Sequence, residues 1–266
     1  MPSSPQLDRV IGIMKDIRSN PPADIAEARA VLNQAFSVYR PATGVIVFEV
    51  DAGGVPCLWI TAPSVPQDRL IIYLHGGAYA TCSPTTHQDL ISRLSLASGA
   101  AALGVDYRLA PEHFFPSAVE DSLAAYNWAL GHGFEPGNIV LAGDSAGGGL
   151  VVSVLLAARD SGLPLPAAGV CFSPWVDLEC SGESMSANDH LDAFIKYGGL
   201  LARAQSYLGE ADPKHPWASA LYAELHDLPP LLIHVGSAET LLDDSTRLAA
   251  LAEDSGVDVT LKIWDD

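Results

Sequence analysis

One stretch constrains this chain more than any other: Ile139-Val140-Leu141-Ala142-Gly143-Asp144-Ser145-Ala146-Gly147-Gly148. Its first four residues are apolar and read as a short buried strand. Gly-Asp-Ser-Ala-Gly follows, and Leu150-Val151-Val152-Ser153-Val154-Leu155-Leu156-Ala157 then reads as a buried helix. Strand, G-x-S-x-G and helix in succession describe a very tight turn. Its central serine is forced into strained backbone geometry, and its Oγ stands clear of the sheet. Gly143 and Gly147 flank Ser145 because a Cβ at either position would strike the strand or the helix. The helix N-terminus behind the serine favours developing negative charge. Ser145 is therefore a candidate nucleophile.

The rest of the chain suits such a turn. Its 266 residues fit one α/β domain of ordinary size, and 48% hydrophobic residues supply a large core and exclude global disorder. Lys and Arg number 14 against 32 Asp and Glu, a net charge of −18. That balance argues against nucleic acid or an anionic membrane as partner and favours small, neutral or cationic ligands. Val10 to Met14 is too short for the apolar core of a signal peptide, and Gly149 to Ala158 is too short to span a bilayer. No membrane anchoring is expected. Cys57, Cys82, Cys171 and Cys180 show no CxxC spacing and read as unpaired thiols of a reducing cytoplasm.

Apolar periodicity predicts the order of elements. Val10, Ile13, Met14 and Ile17 share one helical face; after Pro21-Pro22, Asp24 can open a second helix with Ile25, Ala28, Leu32 and Ala35 on one side. Val45 to Val50 and Pro56 to Ala62 read as a hairpin turning at Asp51-Ala52-Gly53-Gly54. Leu70 to Leu74 is a continuous apolar run, as expected of a strand covered on both faces. Helix is expected from His87 to Ala97 and strand from Ala100 to Val105. Ser117-Ala118-Val119-Glu120 reads as a capping box opening a helix to about Leu130. Beyond the serine turn, Ala168 to Phe172 reads as strand. Residues 177–222 read as an irregular excursion with one helical piece, Phe194 to Tyr207. Strand returns at Leu231 to Val235, helix at about Asp243 to Glu253, and strand at Val257 to Trp264. Alternation of this kind makes a mainly parallel central sheet with helices on both faces. The economical description is a single α/β domain over residues 1–266, with a small helical cap drawn from 1–42 and 177–222.

A serine hydroxyl needs donors for an oxyanion and a base for its proton. His75-Gly76-Gly77-Ala78 follows the strand Leu70 to Leu74, and a Gly-rich loop there can aim backbone N–H groups at a reacting carbonyl oxygen. Ala146, directly after the serine, offers another N–H. His87, His132, His190, His215 and His226 lack metal-ligand spacing, so no metal site is expected. Asp106, Arg108 and Glu112 read as braces for the loops beneath the site, and His113 as a structural loop residue.

Taken together, these motifs resemble the bacterial hormone-sensitive-lipase-like family of α/β-hydrolase carboxylesterases. The matching pieces are His75-Gly76-Gly77-Ala78, Asp106-Tyr107-Arg108-Leu109-Ala110-Pro111-Glu112-His113, Gly143-Asp144-Ser145-Ala146-Gly147-Gly148, Ser173-Pro174-Trp175, and Gly236-Ser237-Ala238-Glu239-Thr240-Leu241-Leu242-Asp243-Asp244. They occur in the family's order. The resemblance implies an α/β-hydrolase fold and a serine esterase acting on short-chain acyl esters without a cofactor. It implies Ser145 as nucleophile and Gly77, Ala78 and Ala146 as the oxyanion hole, with His75, Gly76 and Asp144 supporting the loop. Ala78 replaces the last glycine of the family's HGGG; it keeps the N–H but narrows the space beside it.

For the triad acid, Glu239, Asp243 and Asp244 compete. Glu239-Thr240-Leu241-Leu242-Asp243 fits the family's acid-x-Leu-x-Asp pattern, whereas Asp243 and Asp244 have a sufficient structural task as caps of the following helix. No histidine follows His234 in residues 1–266. The resemblance puts the catalytic histidine in the loop after the strand ending at Ile263-Trp264, so the expectation is a base carried beyond residue 266. Two rivals stay open: an amidase or lactonase using the same machinery, and a non-catalytic small-ligand receptor on a hydrolase fold. The resemblance also suggests a homodimer.

Overall fold

The computed structural model of the protein describes residues 4–265. The first three residues of the expected 1–42 cap piece, and Asp266, lie outside the described residues. The described strands are β1 (Ile46–Asp51), β2 (Pro56–Thr61), β3 (Leu70–Leu74), β4 (Ala101–Val105), β5 (Ile139–Asp144), β6 (Ala168–Phe172), β7 (Leu231–Gly236) and β8 (Val259–Trp264). They form one sheet in the order β1-β2-β4-β3-β5-β6-β7-β8. β2 is antiparallel to both neighbours, and the pairs from β4 to β8 are all parallel. The helices are α1 (Pro5–Ser19), α2 (Ile25–Phe36), α3 (Pro84–Ser98), α4 (Ser117–Gly131), α5 (Ala146–Asp160), α6 (Ser184–Ala187), α7 (Tyr197–Leu208) and α8 (Leu242–Asp254).

The strand pleat sorts side chains between two cores. Leu70, Ile72 and Leu74 of β3 face the larger core, with α4, α5 and α8; Ile71 and Tyr73 face the smaller one, with Ile91 of α3. This is why β3 and β4 read as unbroken apolar runs: every residue in them is buried. α5 is buried from Ala146 to Ala158 and packs between β5, β6 and α4. It starts directly after Ser145, four residues ahead of the apolar run that signals it. Gly147, Gly148 and Gly149, poor helix formers by propensity, are required there by close packing. A Cβ on Gly148 would stand 3.0 Å from Pro174 Cα, and one on Gly149 would overlap the carbonyl oxygen of Trp175.

Two local expectations are corrected. Ser117 is the first helical residue of α4, not its cap; Pro116 holds that place, without a side-chain cap. The N–H of Ser117 is taken by Phe114 O at 2.9 Å, and the carboxylate of Glu120 turns to Arg108 Nη2 at 3.1 Å. A reciprocal contact does occur at α3, where Ser83 N donates to Thr86 Oγ1 at 3.0 Å. α7 begins at Tyr197 because Asp192 Oδ1 accepts the N–H groups of Phe194 and Ile195 in a turn. The excursion 177–222 adds no strand, but Leu178, Met185, Leu200 and Tyr207 join the larger core. All four cysteines are free, and no described helix is long and apolar enough to cross a membrane.

Candidate active site

Register aligns the ends of the parallel strands. Leu74 pairs with Gly143, Asp144 with Phe172, and Gly236 with Trp264. The loops after β3, β5, β6 and β7 therefore emerge along one edge, outside the carboxyl ends of the strands, where open α/β sheets bind ligands. His75, Ser145, Ser173 and Glu239 all belong to these loops.

Ser145 has φ 54° and ψ −121°, a conformation that costs roughly 1–3 kcal/mol for a residue with a side chain. Its neighbours hold it there. Ser145 N donates to Phe172 O at 2.8 Å, while its carbonyl accepts from Trp175 N at 2.9 Å and Gly149 N at 3.0 Å. A Cβ on Gly147 would stand 2.6 Å from His75 O and closer still to Leu74 O. The flanking glycines are thus a steric requirement of the turn.

The loop 76–79 faces Ser145. Gly77 (φ 119°), Ala78 (φ 52°) and Tyr79 (φ 58°) are all left-handed. Gly77 O accepts from Ala80 N and Thr81 N, both at 3.0 Å, which closes the turn. Among the described residues no acceptor takes the N–H of Gly77 or Ala78, and Ala146 opens α5, where first-turn N–H groups lack helical partners. His75 is buried beneath the loop. Its ring stacks on Tyr107 at 4.2 Å and its Nδ1 donates to Gly76 O at 2.8 Å. Burial, and then the nearby His87, push the imidazole down to about 3, so it stays neutral.

Asp144 joins the serine turn to that loop. Its Oδ1 accepts from Tyr73 Oη at 2.8 Å and Gly76 N at 3.0 Å. His87 Nε2 lies 3.3 Å from the same oxygen, and His87 Nδ1 contacts Thr86 Oγ1 at 2.9 Å. Burial alone would push His87 down and Asp144 up. Their mutual attraction wins for both, holding His87 above and Asp144 below the ordinary value.

Glu239 lies on the loop after β7. Its Oε1 accepts from Gly236 N at 2.7 Å and Ser173 Oγ at 2.9 Å. A segment outside the sheet steadies the loop: Asn188 Nδ2 donates to Glu239 O at 2.9 Å and Ser237 O at 3.2 Å, and Asp192 Oδ2 accepts from Thr240 N at 3.0 Å. Arg18 of α1 donates in turn to the carbonyls of Asp189 and Asp192. The competing acids point elsewhere. Asp243 Oδ2 accepts from Ser184 N at 2.9 Å, and Asp244 Oδ2 from Val176 N at 2.8 Å and Asp177 N at 3.0 Å. Neither caps α8 as expected. Leu241 holds the cap position, and the two carboxylates tie α8 to other segments.

Ser145, Gly77, Ala78, Asp144 and Glu239 line one cavity of about 450 Å³, within the range of small-molecule sites. Its walls are largely apolar: Met14 and Ile17 of α1, Ala28, Leu32 and Phe36 of α2, and Phe194 and Leu200 before and in α7. No cluster of histidine, cysteine or carboxylate side chains among the described residues could hold a metal.

A family model for the α/β-hydrolase fold matches residues 71–266. An esterase from the bacterial hormone-sensitive lipase family superposes with a TM-score of 0.97 at 45% identity, covering 100% of this chain and 89% of that one. The chain belongs to the hormone-sensitive-lipase group of α/β-hydrolase fold esterases. This hydrolase is also 46% identical over 217 residues to an acetyl-hydrolase of Streptomyces hygroscopicus, covering 82% of this chain and 72% of that one. It is 33% identical to an esterase of Acinetobacter venetianus, covering 89% and 78%.

Three contributors to the hydrolase site carry no local sequence signal. The residues around His87 in α3 give no sign that it meets Asp144, 57 positions away. Ser173 sits within a quoted motif, yet its bond to Glu239 spans 66 positions. Arg203 has no sequence signal at all, because only the path of 177–222 brings α7 to the cavity.

Proposed function

We propose that this hydrolase cleaves short-chain acyl esters through an acyl-enzyme on Ser145. Ser145 Oγ attacks the ester carbonyl, and the N–H groups of Gly77, Ala78 and Ala146 receive the oxyanion. The alcohol leaves with a proton from the base, and water deacylates the enzyme. The observation that carries this reading is the left-handed Ser145 facing the left-handed Gly77-Ala78 loop across one cavity.

We assign the base to a histidine beyond residue 266, with Glu239 orienting it. Ser237 N donates to Trp264 O at 2.8 Å, so the end of β8 lies against the Glu239 loop, which supports delivery of a side chain there. The histidines nearby are committed: His75 is buried and bonded to Gly76, and His87 to Asp144.

The test is hydrolysis of p-nitrophenyl acetate, butyrate, octanoate and laurate by the protein with the chain that follows residue 266. Acetate and butyrate should turn over fastest, and Ser145→Ala should lower kcat by about 10⁴–10⁶-fold. Unchanged hydrolysis by Ser145→Ala, or no hydrolysis of any of the four, overturns the reading.

A further inference from the structure

Arg203 is a half-buried guanidinium in a wall of the cavity that holds Ser145. The other half-buried arginines each have an acceptor: Arg18 the carbonyl of Asp192, Arg29 the carboxylate of Glu112, Arg159 the carbonyl of Glu224, and Arg247 the carboxylate of Asp177. Among the described residues Arg203 has none. The carboxylates of the same cavity are engaged elsewhere, Asp144 with Tyr73, Gly76 and His87, and Glu239 with Gly236 and Ser173. In a chain with 32 acidic and 14 basic residues, an unpaired cation in the site is not explained by a shortage of partners.

Its position points toward substrate. Leu200 and Tyr207 lie three residues before and four after Arg203, so all three share one face of α7. Tyr207 stacks on Tyr79 at 3.9 Å, and Tyr79 directly follows Ala78. Arg203 therefore sits on the helix face that packs over the left-handed loop. Burial, and then the charge of Arg29, weaken its hold on its proton, and a bound anion would offset both.

We propose that Arg203 is a specificity-determining residue that binds a carboxylate on the substrate, so that preferred esters carry a carboxylate in their acyl or alcohol portion. The guanidinium fork matches a carboxylate with two parallel hydrogen bonds, and the apolar walls of Met14, Ile17, Phe194 and Leu200 strengthen such a pair. The net charge of the chain acts mainly on the approach of an anion, since at physiological salt its field is screened beyond about 8 Å. This inference rests on Ser145 being the esterase nucleophile.

The experiment compares wild type, Arg203→Met and Arg203→Lys on two matched pairs of esters. p-Nitrophenyl hydrogen glutarate against p-nitrophenyl pentanoate places the charge in the acyl group; 4-acetoxybutyrate against butyl acetate places it in the alcohol. For one pair, Arg203→Met should lower the anionic-to-neutral ratio of kcat/KM by about 10–100-fold, with Arg203→Lys between. An unchanged ratio in both pairs overturns the proposal. Calorimetric binding of monomethyl glutarate to Ser145→Ala, with and without Arg203→Met, separates this from the esterase reading. If no ester is hydrolysed but binding weakens about tenfold in Arg203→Met, the esterase reading fails and the Arg203 site stands. Binding that is absent, or equal in both proteins, overturns the Arg203 site.

Discussion

His87 Nε2 stands 3.3 Å from one carboxylate oxygen of Asp144 and 3.4 Å from the other, and Asp144 is the residue directly before Ser145. The pair ties α3 to the turn that holds the serine. His87 is raised, so its contribution to stability is complete below pH 6.5 and is lost as pH climbs past its folded value. Asp144 is lowered, so its contribution is present above pH 3.8 and is lost as pH falls through its folded value. The pair acts fully between these limits. His87→Gln should therefore cost about 1–2 kcal/mol in urea unfolding at pH 6 and distinctly less at pH 9. A gap that stays constant with pH would mean that the contact is only steric.

Gly147 and Gly12 predict opposite outcomes for the same substitution. A Cβ on Gly147 collides with the carbonyl oxygens of Leu74 and His75, whereas one on Gly12 of α1 meets nothing within 4 Å. Gly147→Ala should destabilise by about 1–3 kcal/mol and abolish esterase activity, because the turn opens. Gly12→Ala removes a poor helix former and should stabilise α1 by up to about 1 kcal/mol, read as slower amide exchange there. Equal thermal shifts for the two variants would contradict the steric account.

What the sequence makes legible follows from range. β3 and β4 are visible because burial on both faces leaves only apolar residues and glycine, and the Ser145 turn because its glycines are a local steric demand. Local patterns mislead where a distant partner intervenes. Ser117 and Glu120 have the right spacing for a capping box, but Arg108 takes Glu120. Asp243 and Asp244 have the right position for caps, but Ser184 and Val176 take them. Arg203 and His87 reach the cavity only through the path of the chain, which no short window encodes.

Asp244 is buried, and desolvation pushes it up to about 8 even though two backbone N–H groups favour its charged form. The folded chain thus keeps a proton that the unfolded chain has already lost above pH 3.8. Stability from this group falls as pH rises from 3.8 to about 8. Asp244→Asn keeps an oxygen acceptor for Val176 and Asp177 but cannot ionise. Relative to wild type it should gain stability steadily between pH 4.5 and pH 8.5 in thermal unfolding. A difference that does not vary with pH would rule out this titration.

Glu239 and Asp243, four positions apart on the same loop-to-helix segment, have separate tasks in this geometry. Glu239 faces the cavity with Oε1 held by Gly236 and Ser173. Asp243 exchanges two bonds with Ser184: its Oδ2 accepts from Ser184 N, and its own N donates to Ser184 Oγ, both at 2.9 Å. Glu239→Gln keeps an oxygen for both of its donors, so the fold should survive. It removes the charge that would steady an imidazolium, and kcat/KM should fall by about 10³–10⁴-fold. Asp243→Asn should leave kcat/KM within about threefold while lowering stability by roughly 1 kcal/mol, through the weakened contact between α8 and α6. Steady-state kinetics and urea unfolding of both variants decide the matter. If Asp243→Asn is the inactive one, the acid assignment passes to Asp243, and the bond of Ser173 to Glu239 is only a loop clasp.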